Sequence, residues 1–418
     1  MLEEVNLSGL KDAEVYVSKY KVLRSEIDDS KLKWLSAGTE SYVAVRVVRD
    51  GKVGFYSTTL DETKGLRKVI EEAYERAEKV ARVSKRVEWW PGFPSSRCSP
   101  LPGTFSKSLA SKDLDFVIDM SKRMLDIADE SLNVMGSVGL EVGEWVIANT
   151  EGGEYEERET RVEAFVAASK RVNGYLTKAV SDVYVSRSAP PEIENFAGKV
   201  FEEAKTLKLR PERVTGEYLV YFDPRAVAEL LDFLAEAFYA HNVVRGKSPL
   251  SGRLGEQAFN EAFTLSDNPT LPGGPESHGC DEEAVKSEPQ VLVDGGVVKA
   301  FLGDLYWGSK LGFVGRGYRQ SPVQPPSPSY TNLTLHARDG AEGEVVVAGL
   351  TGLHTATPET GDMSVVLSPA WKDGEHIEAV MNVNVYDLFG KLLEGIDKNG
   401  RWVGSVFAPG VAVRVKLT

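Results

Sequence analysis

Cysteine, histidine and positive charge are all scarce in this 418-residue chain, and each shortage closes off a class of function. Two cysteines, Cys98 and Cys280, are too few for a disulfide framework at this length. They read as free thiols, which persist best in a reducing compartment, so a cytoplasmic protein is expected. With 49 Lys and Arg against 62 Asp and Glu, the net charge is −13, which opposes attraction to phosphate and argues against a direct nucleic-acid partner. No window approaches the roughly 18 uncharged apolar residues of a membrane span, and the closest, 226–239, contains Glu229, Asp232 and Glu236. A basic leader followed by an apolar run is also missing, so the N-terminus reads as mature sequence. There is no repeat at solenoid period, no phosphate-binding G-x-x-x-x-G-K-[ST], no G-x-S-x-G, no C-x-x-C and no H-E-x-x-H.

What is present is period-two patterning interrupted by a few helices. The length favours two domains. Short alternating runs at 14–18, 19–23, 32–35 and 42–48 predict strands, and Asp50-Gly51 between two of them predicts a two-residue hairpin turn. Thr59 and Glu62 have the form of a capping box ahead of a helix, with Leu66, Val69, Ile70, Ala73, Ala77 and Val80 on one face, ending near Arg86. Pro91, Pro94, Pro100 and Pro102 exclude regular structure and predict a linker, in which Trp89, Trp90 and Phe93 suit an inter-domain seam. Beyond it come a helix after Lys112, strands at 134–149, 155–169 and 172–185, and a helix at 191–207.

The remainder opens with a strand at 215–222 and a helix from Asp223-Pro224 to about His241, where Asp suits the N-cap and Pro the first helical position. Strands follow near 290–302, 332–337, 344–349, 364–371, 375–383 and 402–416, with a Pro/Ser-rich loop at 321–329 that composition leaves as either packed or mobile. The expectation is an α+β protein. An N-terminal α+β domain over 1–210 has sub-parts of about 1–88 and 108–210 joined by the Pro-rich linker, and a mostly-β domain spans 211–418.

Candidate chemistry is thin. His278 lies among Cys280, Asp281, Glu282 and Glu283, but His-x-Cys followed by acids is no established ligand spacing, and a solvated loop is the better reading. Asp232 and Glu236, four apart, share the polar face of their helix, where an ordinary exposed surface outweighs a carboxylate dyad.

Taken as a set, Val43 to Thr58, Asn149 to Gly152, Arg245 to Glu256, Leu265 to Gly274, Asp281 to Val285 and Thr360 to Ser364 resemble the TldD/PmbA family in order and spacing across nearly the whole chain. The resemblance implies one of two kinds of member. TldD-like members carry His-Glu-x-x-x-His on a helix and bind a zinc that activates water for peptide cleavage, whereas PmbA/TldE-like members lack the motif and pair with them. Counting back from Ser251-Gly252 puts the motif at Leu231 to Glu236, where Leu231, Asp232 and Glu236 are degenerate positions. The cysteine-bearing element near the family's C-terminus falls at 395–400, which has no cysteine.

The resemblance therefore implies a metal-free PmbA/TldE-like subunit with no catalytic residues and no cofactor of its own, so whether the chain is an enzyme at all is left open. Zinc would reside in a TldD-like catalytic partner, the substrate would be an unfolded peptide, and a homo- or hetero-oligomer is expected, without membrane or nucleic-acid contact. Arg245, Ser248, Asp281, Glu283, Gly361 and Asp362 are the matched positions that become peptide-groove candidates. The family's association with DNA gyrase modulation sits poorly with the acidic charge. Two other readings stay open: an active metallopeptidase using Asp232, Glu236, His241 or the His278–Cys280 loop, and a homodimeric peptide-binding scaffold.

Overall fold

A computed structural model describes residues 1–418 and is α+β, built on two large sheets. The first is antiparallel in the order β3-β2-β1-β4-β5-β6, from β1 (Ala13–Asp28), β2 (Lys31–Arg49), β3 (Lys52–Thr59), β4 (Leu132–Asn149), β5 (Glu154–Val172) and β6 (Tyr175–Ser186). The Asp50-Gly51 turn joins β2 to β3 with both residues at positive φ, 51° and 72°. Where the sequence suggested several short strands, β1 and β2 are continuous ribbons. The alternation fades over 31–40 because this end of β2 is an uncovered edge of the sheet, leaving Trp34 and Leu35 exposed while Leu23 and Ile27 of the adjacent β1 stay buried.

Side chains alternate across the sheet, so its two faces acquire different partners. On one face, Ala13, Val15, Val17, Val43, Val45 and Val47 bury against the helix Leu66–Val83, and farther along the same face Leu23, Ile27, Val138 and Val166 bury against the helices Leu114–Asp126 and Ile193–Thr206. Gly54 permits the first contact, since a Cβ there would stand 2.0 Å from the Ala77 carbonyl oxygen. The expected capping box does not form. Thr59 is used by β3, where it pairs with Tyr42, and Glu62 binds Lys19, so the helix starts only after Gly65.

All strands of the second, twelve-stranded sheet come from residue 212 onward. Its central strand Val406–Leu417 pairs with Gly216–Phe222 on one side and Leu393–Val403 on the other, and the helix Pro224–Ala235 packs over them. Asp223 caps that helix by accepting from the Arg225 and Ala226 N–H groups at 2.8 and 3.3 Å. The helix stops at Ala235, short of His241. Phe238 and Ala240 exchange backbone hydrogen bonds with Leu302 instead, and Asn242 and Ser248 side chains donate to the Glu236 and Ala237 carbonyls.

The opposite face of the first sheet is where the two halves meet. Tyr16, Ala44, Trp145, Ile147 and Tyr155 enclose Cys280 and Ala284 in one apolar cluster. Beside it the buried Arg46 guanidinium donates to Glu14 and Glu283, each at 2.6 Å, and lies over Trp90 and Phe93. Trp90 stacks on Tyr306 with centroids 6.3 Å apart, so Trp90 and Phe93 plug the seam, whereas Trp89 is half-exposed. The 321–329 segment is packed, with Ser327–Pro328 paired to Gly317–Tyr318 and the Val323 carbonyl accepting from Ser57.

One expectation is corrected outright. Cys98 and Cys280 are not free thiols but form a disulfide, with Cα atoms 5.8 Å apart. Their separation of 182 residues hid the pairing, because only the seam folds the linker onto the 276–286 loop. The free-thiol argument for a reducing compartment falls with it.

Candidate functional site

Next to this seam the two halves leave a cleft of about 420 Å3. One wall is the first sheet. Tyr155, Glu157, Glu159, Arg161 and Glu163 lie on a single face of β5, an unusual run of charge at period two. Glu159 accepts from Tyr20 and from Arg187 Nη1, the latter at 2.5 Å, and Arg187 Nε donates to the Pro275 carbonyl at 2.7 Å. Burial alone would raise the Glu159 pKa, but Arg187, His278 and the Tyr20 hydroxyl overcome it and hold the carboxylate at about 2. Arg161 is bound by Glu163 and Glu276. The cations on this wall are thus fixed rather than free.

The opposing wall comes from the second half. Asp232 Oδ1 accepts from the Tyr330 hydroxyl at 2.7 Å, with Tyr239 and Ser405 alongside. His278 and Glu282, two residues either side of Cys280, complete the lining with Tyr318 and Arg319. The His278 ring rests between Trp145 and Tyr318, 5.6 and 5.7 Å away, and its Nδ1 is buried without a partner. Burial, reinforced by Arg187, pushes its pKa down to about 3, so the imidazole is neutral across the physiological range. Glu282 is pushed up to about 7 by burial, against the opposing pull of Arg319, whose backbone N–H it accepts.

The degenerate positions end up apart from one another. Leu231 is fully buried in the core of the second half, Asp232 faces the cleft, and Glu236 lies exposed beyond the end of the helix, its pKa raised by partial desolvation from neighbouring protein and by Asp232. This donor set does not fit a zinc ion: Leu231 has no lone pair, and no three His, Cys, Asp or Glu side chains converge anywhere in the chain as ligands would.

The six groove candidates are not gathered in one place, and none lines the cleft. Arg245 stacks over Trp307 at 4.5 Å. Ser248 is buried and donates to the Ala237 carbonyl. Asp281 accepts from the Glu283, Val285 and Gly317 N–H groups, and Glu283 accepts from Arg46 and from the Leu305 N–H. Gly361 packs under Tyr386 at φ 77°, and Asp362 binds Asn384 beside a separate surface pocket. Sequence reasoning missed Glu159, Arg161, Arg187, Arg319 and Tyr330. The alternate-position charges of β5 were the available signal.

The arrangement suits a polar, extended ligand. Ion-paired groups of both signs, hydroxyls and aromatic faces line one concavity whose volume lies in the range of small-molecule and peptide sites.

Comparison with known proteins agrees with this architecture. Residues 215–417 match the PmbA/TldA metallopeptidase C-terminal domain, and residues 13–77 match PmbA/TldA metallopeptidase domain 1. An uncharacterised protein of Methanocaldococcus jannaschii is 26% identical, over 98% of this chain and 96% of its own length. A metalloprotease of Methanothermobacter thermautotrophicus is also 26% identical, over 92% of this chain and 86% of its own length. Among solved structures, TldE from Thermococcus kodakarensis superposes with a TM-score of 0.86 at 21% identity, covering 97% of this chain and 96% of that one. With both sheets, the connecting helices and the two matched regions in agreement, the chain belongs to the PmbA/TldD metallopeptidase family and has the fold of TldE.

Proposed function

We propose that this protein is the non-catalytic, TldE/PmbA-like subunit of a heteromeric zinc metalloprotease, and that its cleft helps hold unfolded peptide while a TldD-like partner supplies zinc and cleavage. One observation carries the reading. At Leu231, Asp232 and Glu236, the positions matched to the metal motif offer a leucine sealed in the core, a carboxylate engaged by Tyr330 and a second, exposed carboxylate, with no imidazole. The chain binds no metal of its own on this reading, and the cleft contributes polar and aromatic contacts in place of a nucleophile.

Co-expression with the TldD-like protein of the same organism tests the proposal. The two chains should co-purify, hydrolyse unstructured peptides together, and show zinc only in the partner. Failure to co-purify, or zinc and peptidase activity in this chain alone, rejects it; the second outcome would favour a metallopeptidase with a divergent site.

A further inference from the structure

We propose that the Cys98–Cys280 disulfide is a reversible redox site, reduced by a dithiol, whose opening frees the linker around 97–103 that lines the pocket beside Cys98. The two sulfurs are unequally placed. Cys280 is fully buried among Tyr16, Trp145 and Tyr155, whereas Cys98 lines an open pocket of about 530 Å3 beside Leu101 and Phe105. An incoming thiolate therefore reaches the Cys98 sulfur.

The exchange follows from that access. One thiolate of the dithiol attacks Cys98 Sγ, forming a mixed disulfide and expelling Cys280 as a thiolate that takes up a proton. The second thiol then displaces Cys98 as its thiol. Two electrons and two protons pass to the protein, and the reductant leaves as a cyclic disulfide.

Reduction has a local consequence because the disulfide joins two segments that otherwise meet through close packing. Ser99 and Gly279 approach so closely that a Cβ on Gly279 would stand 2.3 Å from the Ser99 carbonyl oxygen, and the Gly279 N–H donates to the Tyr155 hydroxyl at 2.8 Å. On the linker side, the next hydrogen-bonded anchors are the Ser96 carbonyl, which accepts from Glu154, and Thr104, which donates to Glu157. On the loop side, 277–279 is held independently of the disulfide: Ser277 Oγ donates to the Leu271 carbonyl at 2.6 Å and accepts from Asn332, the His278 N–H donates to the Pro269 carbonyl at 2.8 Å, and the Gly279 carbonyl accepts from Ser287. Asp281 and Glu283 likewise keep their hydrogen bonds to Gly317 and Arg46. Opening the bond thus releases the linker around 97–103 while the loop and the ion-paired seam stay in place.

Hydrogen exchange on the full-length protein, oxidised and then equilibrated with dithiothreitol, tests this. We expect at least tenfold faster exchange in peptides covering 94–106 after reduction, and no change in peptides covering 276–282 or in the helix Leu66–Val83. Cys98→Ser should show the fast pattern with or without reductant, and it leaves the buried Cys280 in place should Cys280→Ser not fold. A monothiol offered to the oxidised protein should be found on Cys98 and not on Cys280. Identical exchange in both redox states, loss of protection throughout the chain on reduction, labelling of Cys280 first, or thiols that stay free in oxidising buffer would each overturn the proposal.

Discussion

Replacing Arg46 by methionine keeps the apolar stem and removes the charge at the centre of the seam. In the wild type both ion pairs are close, 2.6 Å to Glu14 and 2.6 Å to Glu283, and the three side chains are 7%, 0% and 1% exposed. Removing one partner of a buried pair costs about 3–5 kcal/mol, because the carboxylate left behind is neither solvated nor neutralised. The two carboxylates do not suffer equally. Glu14 still has Arg319 at 3.2 Å, whereas Glu283 keeps only the Leu305 N–H at 2.6 Å and faces Asp281 and Asp304. The lost contact of the guanidinium with Trp90 and Phe93 adds about 1–2 kcal/mol. Arg46→Met should therefore lose about 4–7 kcal/mol in guanidinium denaturation at pH 7.5. Combining it with Glu14→Gln and Glu283→Gln should recover more than half of the loss. A single substitution costing under about 1 kcal/mol, or a triple variant no better than the single, would refute the claim that uncompensated charge is the cause.

Three further outcomes follow from the same geometry. Leu231→His with Glu236→His restores the family's two imidazoles, yet it should bind no zinc by metal analysis and should cost about 3 kcal/mol or more, because position 231 faces the core. Gly54→Ala should lower the denaturation midpoint by about 1–3 kcal/mol equivalent, since the added methyl meets the backbone of the helix Leu66–Val83. Glu282 has a folded-state pKa of about 7, above its ordinary 4.5, so the fold favours its protonated form. That stabilisation is complete below about pH 4.5 and is lost as pH rises through 7. Glu282→Gln should thus gain about 1–2 kcal/mol over wild type between pH 5 and pH 8, allowing for partial exposure, and an unchanged difference across that range would count against the burial of this carboxylate.

Local chemistry was legible without coordinates. The Asp50-Gly51 turn, the Asp223-Pro224 helix start, the helix over 193–206 and the seam role of Trp90 depend on residues near in sequence or on a strong composition cue. The family-wide order of short segments was legible too. The cleft was not, because its walls come from β5, from the helix Pro224–Ala235 and from three loops of the second half, whose charges look like ordinary surface when read one segment at a time.

Sequence alone determined the α+β class, the linker, the family and the absence of paired imidazoles at 231 and 236, since pattern period, turn chemistry and residue identity are properties of the chain itself. Only tertiary structure decided that Cys98 meets Cys280 across 182 residues, that the helix ends at Ala235, and that Glu283 pairs with Arg46. Each of those outcomes turns on which distant groups compete for a hydrogen bond, a charge or a buried volume, and that competition exists only once the two sheets are brought together.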